Sequence, residues 1–326
     1  MVLAATLPDQ VALKKISEDH YVTLFNPDKM GNAANIAYGG CTVGVGVNAA
    51  YQTIKPGYHC YSIMGNYLGP ALTDRKLFCK VRRYRDTRTF ASRQVEVSQE
   101  QDDGTHRPCL ILLAEFQVQE PGTLFDYSAP PASKYAPAED SPTRDEVTSA
   151  LVKEGKVSQK MVDVFNIVFG LMARFWESRS PPGTVMSEKL YGMAKHLKTT
   201  QDHLPITSKT SAEWVRSKSK LSTEAENISA LSFYMDGALS FIPLSYSNLF
   251  LQDAAACSTL DFALRLFSNK VDMNQWHIKE MKTINGGEGR TYNEAQIWDQ
   301  QGNMIASMTQ QCIMRPHKPK PVKAAL

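Results

Sequence analysis

Long apolar runs are missing from this 326-residue chain. Nowhere do about 18 consecutive apolar residues occur, so no membrane-spanning helix is expected. Paired cysteines are missing too. The six (Cys41, Cys60, Cys79, Cys109, Cys257 and Cys312) stand singly with no C-x-x-C, which points to reduced thiols rather than a disulfide scaffold. Net charge is small: 36 Lys and Arg against 33 Asp and Glu leave +3, too little to argue for a nucleic-acid or membrane partner. The seven histidines are isolated, with no H-x-x-x-H pair and no His/Cys cluster at ligand spacing, so no metal site is expected. The absence of G-x-S-x-G counts against an α/β-hydrolase serine nucleophile. Met1 to Asp9 lack a basic stretch and do not read as a signal peptide. In the closing Lys323-Ala324-Ala325-Leu326, Ala325 stands where a peroxisomal address carries a basic residue. A soluble cytoplasmic protein is the expectation.

What is present is ordinary folded composition, 43% hydrophobic and 21% charged, enough for a sizeable core. Between Pro121 and Pro142 five prolines sit among Ser, Ala, Asp and Gly with little periodicity, the mark of an extended linker. Residues 144–178 then read as helical until Ser180-Pro181-Pro182. The chain therefore divides into bodies at 1–120 and 183–318, with 121–182 between them and a tail at 319–326.

The two bodies resemble each other. Arg88-Thr89-Phe90 opens an alternating segment, followed by the turn Asp102-Asp103-Gly104 and a strand closing at Pro121. Arg290-Thr291-Tyr292 opens the same succession, with a turn at Asp299–Gly302 and a strand closing at Pro316. Leu260, Phe262, Leu264 and Leu266 alternate with less apolar residues, and Met304, Ala306, Met308, Gln310, Cys312 and Met314 share one strand face. Counting back six from each closing proline pairs Gln310 with Glu115. Each half offers one helix, from Gly39-Gly40 to about Ile54 and from about Asp236 to Phe250, the latter limited by Pro243. One helix and a run of antiparallel strands, twice over, is an α+β architecture.

Gly44-Val45-Gly46-Val47-Asn48-Ala49 fits G-x-G-x-x-A, but no buried strand precedes it and no βαβ unit surrounds it. Small residues on a tightly packed helix explain it better than a dinucleotide. Asp236 stands where the second helix is expected to begin, and an N-cap is its plainest role. Thr259 opens the next strand, and Gln310 is a lone amide on an otherwise apolar face.

Several segments, in order, resemble the type II acyl-CoA thioesterases of the double hotdog kind. Tyr38-Gly39-Gly40 resembles that family's F-G-G opening, and Asn66-Tyr67-Leu68-Gly69-Pro70 its Y-F-L-R-P-G strand end. Tyr84–Arg93 resembles R-D-G-x-S-F-x-x-R, with Phe116-Gln117 matching the closing F-Q. Glu213-Trp214-Val215-Arg216 resembles W-x-R, Phe233-Tyr234-Met235-Asp236 resembles Y-x-S-D, Ser258–Ala263 resembles S/T-x-D-H-x, and Ile305–Gln311 resembles V-A-S-x-x-Q-E. Met235, Phe262 and Gly69 depart from the pattern, as does Tyr61-Ser62-Ile63-Met64 where the family has a His-containing segment.

The resemblance implies a double hotdog: two antiparallel sheets, each wrapped round a central helix. It implies hydrolysis of acyl-CoA by a water held by Asp236, Thr259 and Gln310, with Gly237, Gly40 and Tyr67 against the substrate. Backbone N–H groups at a helix start near Gly237 would meet the oxyanion. No cofactor beyond the substrate's CoA is implied, and copies of the chain are expected to associate. The alternative is a hotdog enzyme of a secondary-metabolite pathway, hydrolysing a polyketide-like thioester or dehydrating one. The hotdog hydratases' Asp and His five residues apart are not both here, since position 241 is Phe. A non-catalytic acyl-binding module is the third reading.

Overall fold

Strand-forming segments dominate both halves, and in the computed structural model all pair antiparallel. The structure describes residues 3–31 and 34–318, so the expectation for the C-terminal Ala324-Ala325-Leu326 lies outside the described residues. The first half contributes β1 (Leu13–Ser17), β2 (His20–Thr23), β3 (Tyr58–Tyr67), β4 (Phe78–Asp86), β5 (Phe90–Glu100) and β6 (His106–Val118). The second contributes β7 (Trp176–Arg179), β8 (Ser211–Ser217), β9 (Ala254–Leu266), β10 (His277–Gly287), β11 (Arg290–Asp299) and β12 (Met304–Pro316).

These strands form one sheet in the order β1-β2-β4-β5-β6-β3-β9-β12-β11-β10-β8-β7. Read outward from the centre, β3 matches β9, β6 matches β12, β5 matches β11 and β4 matches β10. The β3–β9 pairing, Ser62 opposite Arg265 through Asn66 opposite Asp261, fuses what the sequence suggested as two sheets. At this seam Gly65 faces Phe262, whose ring would lie 2.7 Å from any Cβ placed there.

Eight α-helices accompany the sheet among the described residues. They are α1 (Leu7–Val11), α2 (Gly39–Tyr51), α3 (Arg144–Lys153), α4 (Gln159–Val168), α5 (Gly170–Phe175), α6 (Val185–Glu188), α7 (Glu224–Met235) and α8 (Ile242–Tyr246). None is long and apolar enough to cross a membrane. The helical segment expected at 144–178 ends at Phe175. Trp176–Arg179 instead pairs with β8 and extends the sheet edge, because an extended chain there supplies the partners β8 lacks on that side.

α2 and α7 are buried nearly all round and lie against each other. Their close approach explains the glycines of the dinucleotide-like motif. A Cβ at Gly44 would come 3.2 Å from the Ser229 carbonyl of α7, and one at Gly46 2.7 Å from Leu112 in β6.

The second helix is corrected. α7 starts at the Thr223 capping box, with Thr223 and Glu226 satisfying each other's backbone N–H, and it ends at Met235. Asp236 is its C-cap and not an N-cap. Beyond it the chain turns through Ala238, at φ +73°, before the short α8, whose first turn accommodates Pro243.

The segment after β6 carries no regular element until α3. It is pinned to the outer face of the second half, where the indole N–H groups of Trp298 and Trp214 donate to the Ala129 and Ala136 carbonyls at 2.7 and 2.8 Å. Tyr135 donates to Glu280 at 2.6 Å.

Candidate active site

The end of α7 and the start of α2 meet head to tail. The first N–H groups of a helix have no internal partner, and the N-cap residue Tyr38 gives α2 no side-chain cap. Asp236 stands over that open turn, its carboxylate close enough to the Gly40 N–H for that dipole to help hold its pKa down. The approach is tight. A Cβ at Gly39 would lie 2.8 Å from Asp236 Oδ2 and 2.6 Å from the Tyr67 hydroxyl, and one at Gly40 2.5 Å from the Phe233 carbonyl. Glycine is therefore required at both positions.

Two side chains complete the carboxylate's shell. Tyr67, the last residue of β3, donates its hydroxyl to Asp236 Oδ1 at 3.1 Å. Gln310 Nε2 donates to the same oxygen at 2.7 Å, and Gln310 Oε1 accepts from Thr259 Oγ1 at 3.1 Å. β9 and β12 bring this about by pairing Thr259 with Cys312, which sets Gln310 two residues away on the same face. Thr259, Gln310 and Asp236 thus form a relay in which Thr259 reaches the carboxylate through the amide. Gln310 has no exposed surface, and Asp236 keeps 7% of its own.

Burial raises the Asp236 carboxyl from 3.8 to about 6. The hydrogen bonds from Tyr67 and Gln310, the positive charge of Lys279 and the Gly40 N–H dipole oppose that rise. Burial also holds the Tyr67 phenol far above its ordinary value, so Tyr67 serves as a donor. The neighbouring thiols are held protonated by burial, Cys41 and Cys312 both at about 12. Neither offers a thiolate nucleophile near neutral pH.

Gly237 stands apart from this shell. Its N–H bonds to the Tyr234 carbonyl at 3.1 Å, the closing bond of α7, and so is not turned toward an oxyanion. The helix start that faces Asp236 belongs to α2 in the other half. Tyr67 bonds the carboxylate, and Gly40 lies at the helix start that faces it.

Lys279 escaped sequence reasoning. It is 2% exposed, and its Nζ donates to the Gly237 and Tyr234 carbonyls at 2.8 and 3.3 Å, on either side of Asp236. A cation at the negative end of a helix is favourable, yet burial still brings its pKa down to about 8. The signal lay in β10, where period-two alternation puts Lys279 on the buried face of Met281 and Thr283. Buried lysines are rare enough to be informative.

Among the described residues no group of three His, Cys, Asp or Glu could hold a metal ion.

Models of the acyl-CoA thioesterase N-terminal and C-terminal domains match residues 26–117 and 177–314. Acyl-CoA thioesterase 2 of Haemophilus influenzae is 23% identical over 285 residues, covering 85% of this chain and 87% of that protein. The crystal structure of an acyl-CoA thioesterase II from Mycobacterium marinum superposes with a TM-score of 0.66 at 17% identity, over 96% of this chain and 99% of the other. A hot dog fold protein of Alicyclobacillus acidocaldarius gives 0.66 at 13%, over 97% and 100%. At such identities the structural likenesses establish a hotdog-type α+β fold. The two domain models, in order along the chain, define the class as a thioester hydrolase. The chain belongs to the acyl-CoA thioesterase II family.

Proposed function

We propose that the chain hydrolyses acyl-CoA to a free carboxylic acid and CoA with Asp236 as the general base, and that its architecture is a double hotdog divided at 1–120 and 183–318. The palindromic strand order supports the second statement, and the shell around Asp236 supports the first. A thioester carbonyl is already activated, so hydrolysis requires a positioned water, a base and a place for negative charge. Asp236 at about 6 is ionised near neutral pH yet basic enough to accept a proton from water. The water oxygen adds to the carbonyl carbon as Asp236 takes its proton.

The developing oxyanion lies toward the start of α2, where the helix dipole is positive. Once protonated, Asp236 no longer needs all its donors. The Tyr67 hydroxyl is then free to rotate toward the oxyanion, which the fixed N–H groups at the start of α2 also face. Collapse expels the CoA thiolate, which takes up the proton held by Asp236. Gln310 keeps the carboxylate in place throughout, with Thr259 fixing which end of the amide faces it. The reaction asks for no cofactor besides the substrate's own CoA.

The observation that carries this reading is Gln310 Nε2 at 2.7 Å from Asp236 Oδ1, in a shell built from both halves. Purified protein offered a panel of acyl-CoAs with a thiol reagent should release free thiol. Asp236→Asn should lower kcat by about 10²–10⁴. Silence toward every chain length, or an undiminished Asp236→Asn variant, would defeat the proposal.

A further inference from the structure

Lys279 reaches the end of α7, and the residue beside it in the sheet is Glu213. The two are direct partners in the β8–β10 register, so their side chains leave the same face of the sheet. Glu213 divides its carboxylate between two phenols, Oε1 accepting from Tyr191 at 2.7 Å and Oε2 from Tyr234 at 2.8 Å. Tyr234 is therefore held at both ends. Its hydroxyl is on Glu213, its carbonyl accepts from Lys279 Nζ at 3.3 Å, and the ammonium stands 4.6 Å from the centre of its ring. Asp236 follows two residues later, flanked by the Gly237 carbonyl that Lys279 also holds at 2.8 Å.

Two further observations mark Glu213 as more than an acceptor for buried phenols. Tyr191 reaches it from φ +57°, directly after Leu190 at φ +49°, a backbone that persists only where its surroundings enforce it. Burial works against the charge on Lys279, and the carboxylates that oppose burial are Glu213 first and Asp236 second. The other groups around Lys279 do not compete for that role. Burial keeps the Tyr234 and Tyr191 phenols protonated and His277, two residues along β10, neutral near pH 7. Arg144 acts on Tyr191, α8 brings Tyr246 with its hydroxyl on the Met281 carbonyl, and the β11 partner of Lys279 is the uncharged Ile297.

We propose that Glu213 is a positioning residue for the hydrolysis, acting on Asp236 through Lys279 and Tyr234 without touching substrate. The proposal rests on the thioesterase reading for the role of Asp236 and adds the pair that stands behind it. With Glu213 charged, Lys279 stays an ammonium, bonds both carbonyls beside Asp236 and presents positive charge to its carboxylate. Without Glu213, Lys279 gives up its proton at lower pH, and the end of α7 loses its cation.

The test measures kcat, KM and their pH dependence for thiol release in wild type, Glu213→Gln, Lys279→Met and the double variant. It is joined by NMR titration of the Lys279 ε-carbon in wild type and Glu213→Gln. In Glu213→Gln, Lys279 should titrate at about 7 or lower instead of about 8. There kcat should fall about three- to tenfold near pH 7.5 with KM little changed, and the loss should shrink toward about pH 6, where Lys279 keeps its proton in both proteins. In the Lys279→Met background the same change should cost nothing further, because the two residues act as one unit. Tyr234→Phe, which deletes only the hydroxyl between Glu213 and α7, should lower kcat without that tilt in pH. An unmoved Lys279 titration, a loss equal at every pH, or losses that add in full in the double variant overturns the proposal and leaves the hydrolase reading standing. If Glu213→Gln does not fold, Tyr234→Phe decides, and an unchanged kcat there overturns the proposal. If no acyl-CoA is hydrolysed the hydrolase reading falls, and the titration decides whether Glu213 governs Lys279.

Discussion

Asp236 is expensive to bury. Its folded pKa of about 6 lies above the unfolded 3.8, so folding favours the neutral acid. That contribution is complete below about 3.8 and lost as pH rises through about 6. At about 1.4 kcal/mol per pKa unit, the ionised group costs roughly 3 kcal/mol at pH 7. Asp236→Asn should therefore raise the unfolding free energy by about that amount at neutral pH, with the gain fading toward pH 4. Denaturant melts at two pH values would check it, and equal stability at both would contradict it. Gln310→Ala should lower kcat by about 10²–10³, the scale of losing one aligned donor at a charged centre. Steady-state rates at saturating substrate measure it. The three relay residues were legible because their segments kept a recognisable order. Lys279 was not, since its meaning depends on contacts between residues far apart in sequence.

The central helices carry the next level of constraint. Gly40→Ala would set a methyl 2.5 Å from the Phe233 carbonyl, a backbone atom unable to swing aside. Overpacking of this kind costs about 1–3 kcal/mol, and it would also push α2 away from Asp236. The variant should lose both melting temperature and kcat, whereas retention of both would show that the helix start does not matter. The misplaced second helix is instructive here. Thr223-Glu224-Ala225-Glu226 announced a capping box before an apolar run, but Asp236, equally suited to an N-cap, drew the boundary to itself. The position of the carboxylate was correct and its polarity was reversed. The N–H groups that face it come from α2 because a helix C-terminus has carbonyls to offer and no free N–H.

Across the whole molecule the strand order repeats outward from the β3–β9 seam, and the two halves do not repeat each other's polar residues. Strand pairing corrects one equivalence. Gln310 faces Asn293, and the offset of 202 between the triplets carries Asn293 back to Ala91, whose partner is Phe116 and not Glu115. A one-residue slip reverses the face of a strand. Glu115 accordingly points away to bond Ser92 and Arg85, and the buried Phe116 occupies the position of the amide. The proposed site draws α2 and Tyr67 from the first half and Asp236, Thr259 and Gln310 from the second. Neither half expressed alone should hydrolyse acyl-CoA, while a mixture that reassembles should. An active isolated second half would contradict a shared site. The antiparallel α+β character was legible from the alternation of the strands. Fusion into one sheet was not, because β3 and β9 are joined by pairing that no local pattern announces.

The proposed base is a buried carboxylate held between the two helices. The pH dependence of kcat/KM for thiol release tests it most directly, in wild type and in Lys279→Met. Wild-type activity should fall below an acid limb near the Asp236 value of about 6. Lys279→Met removes a positive charge that holds that pKa down, so the limb should move to higher pH. A limb near the ordinary carboxylate value, or one that stays in place in Lys279→Met, would contradict the account.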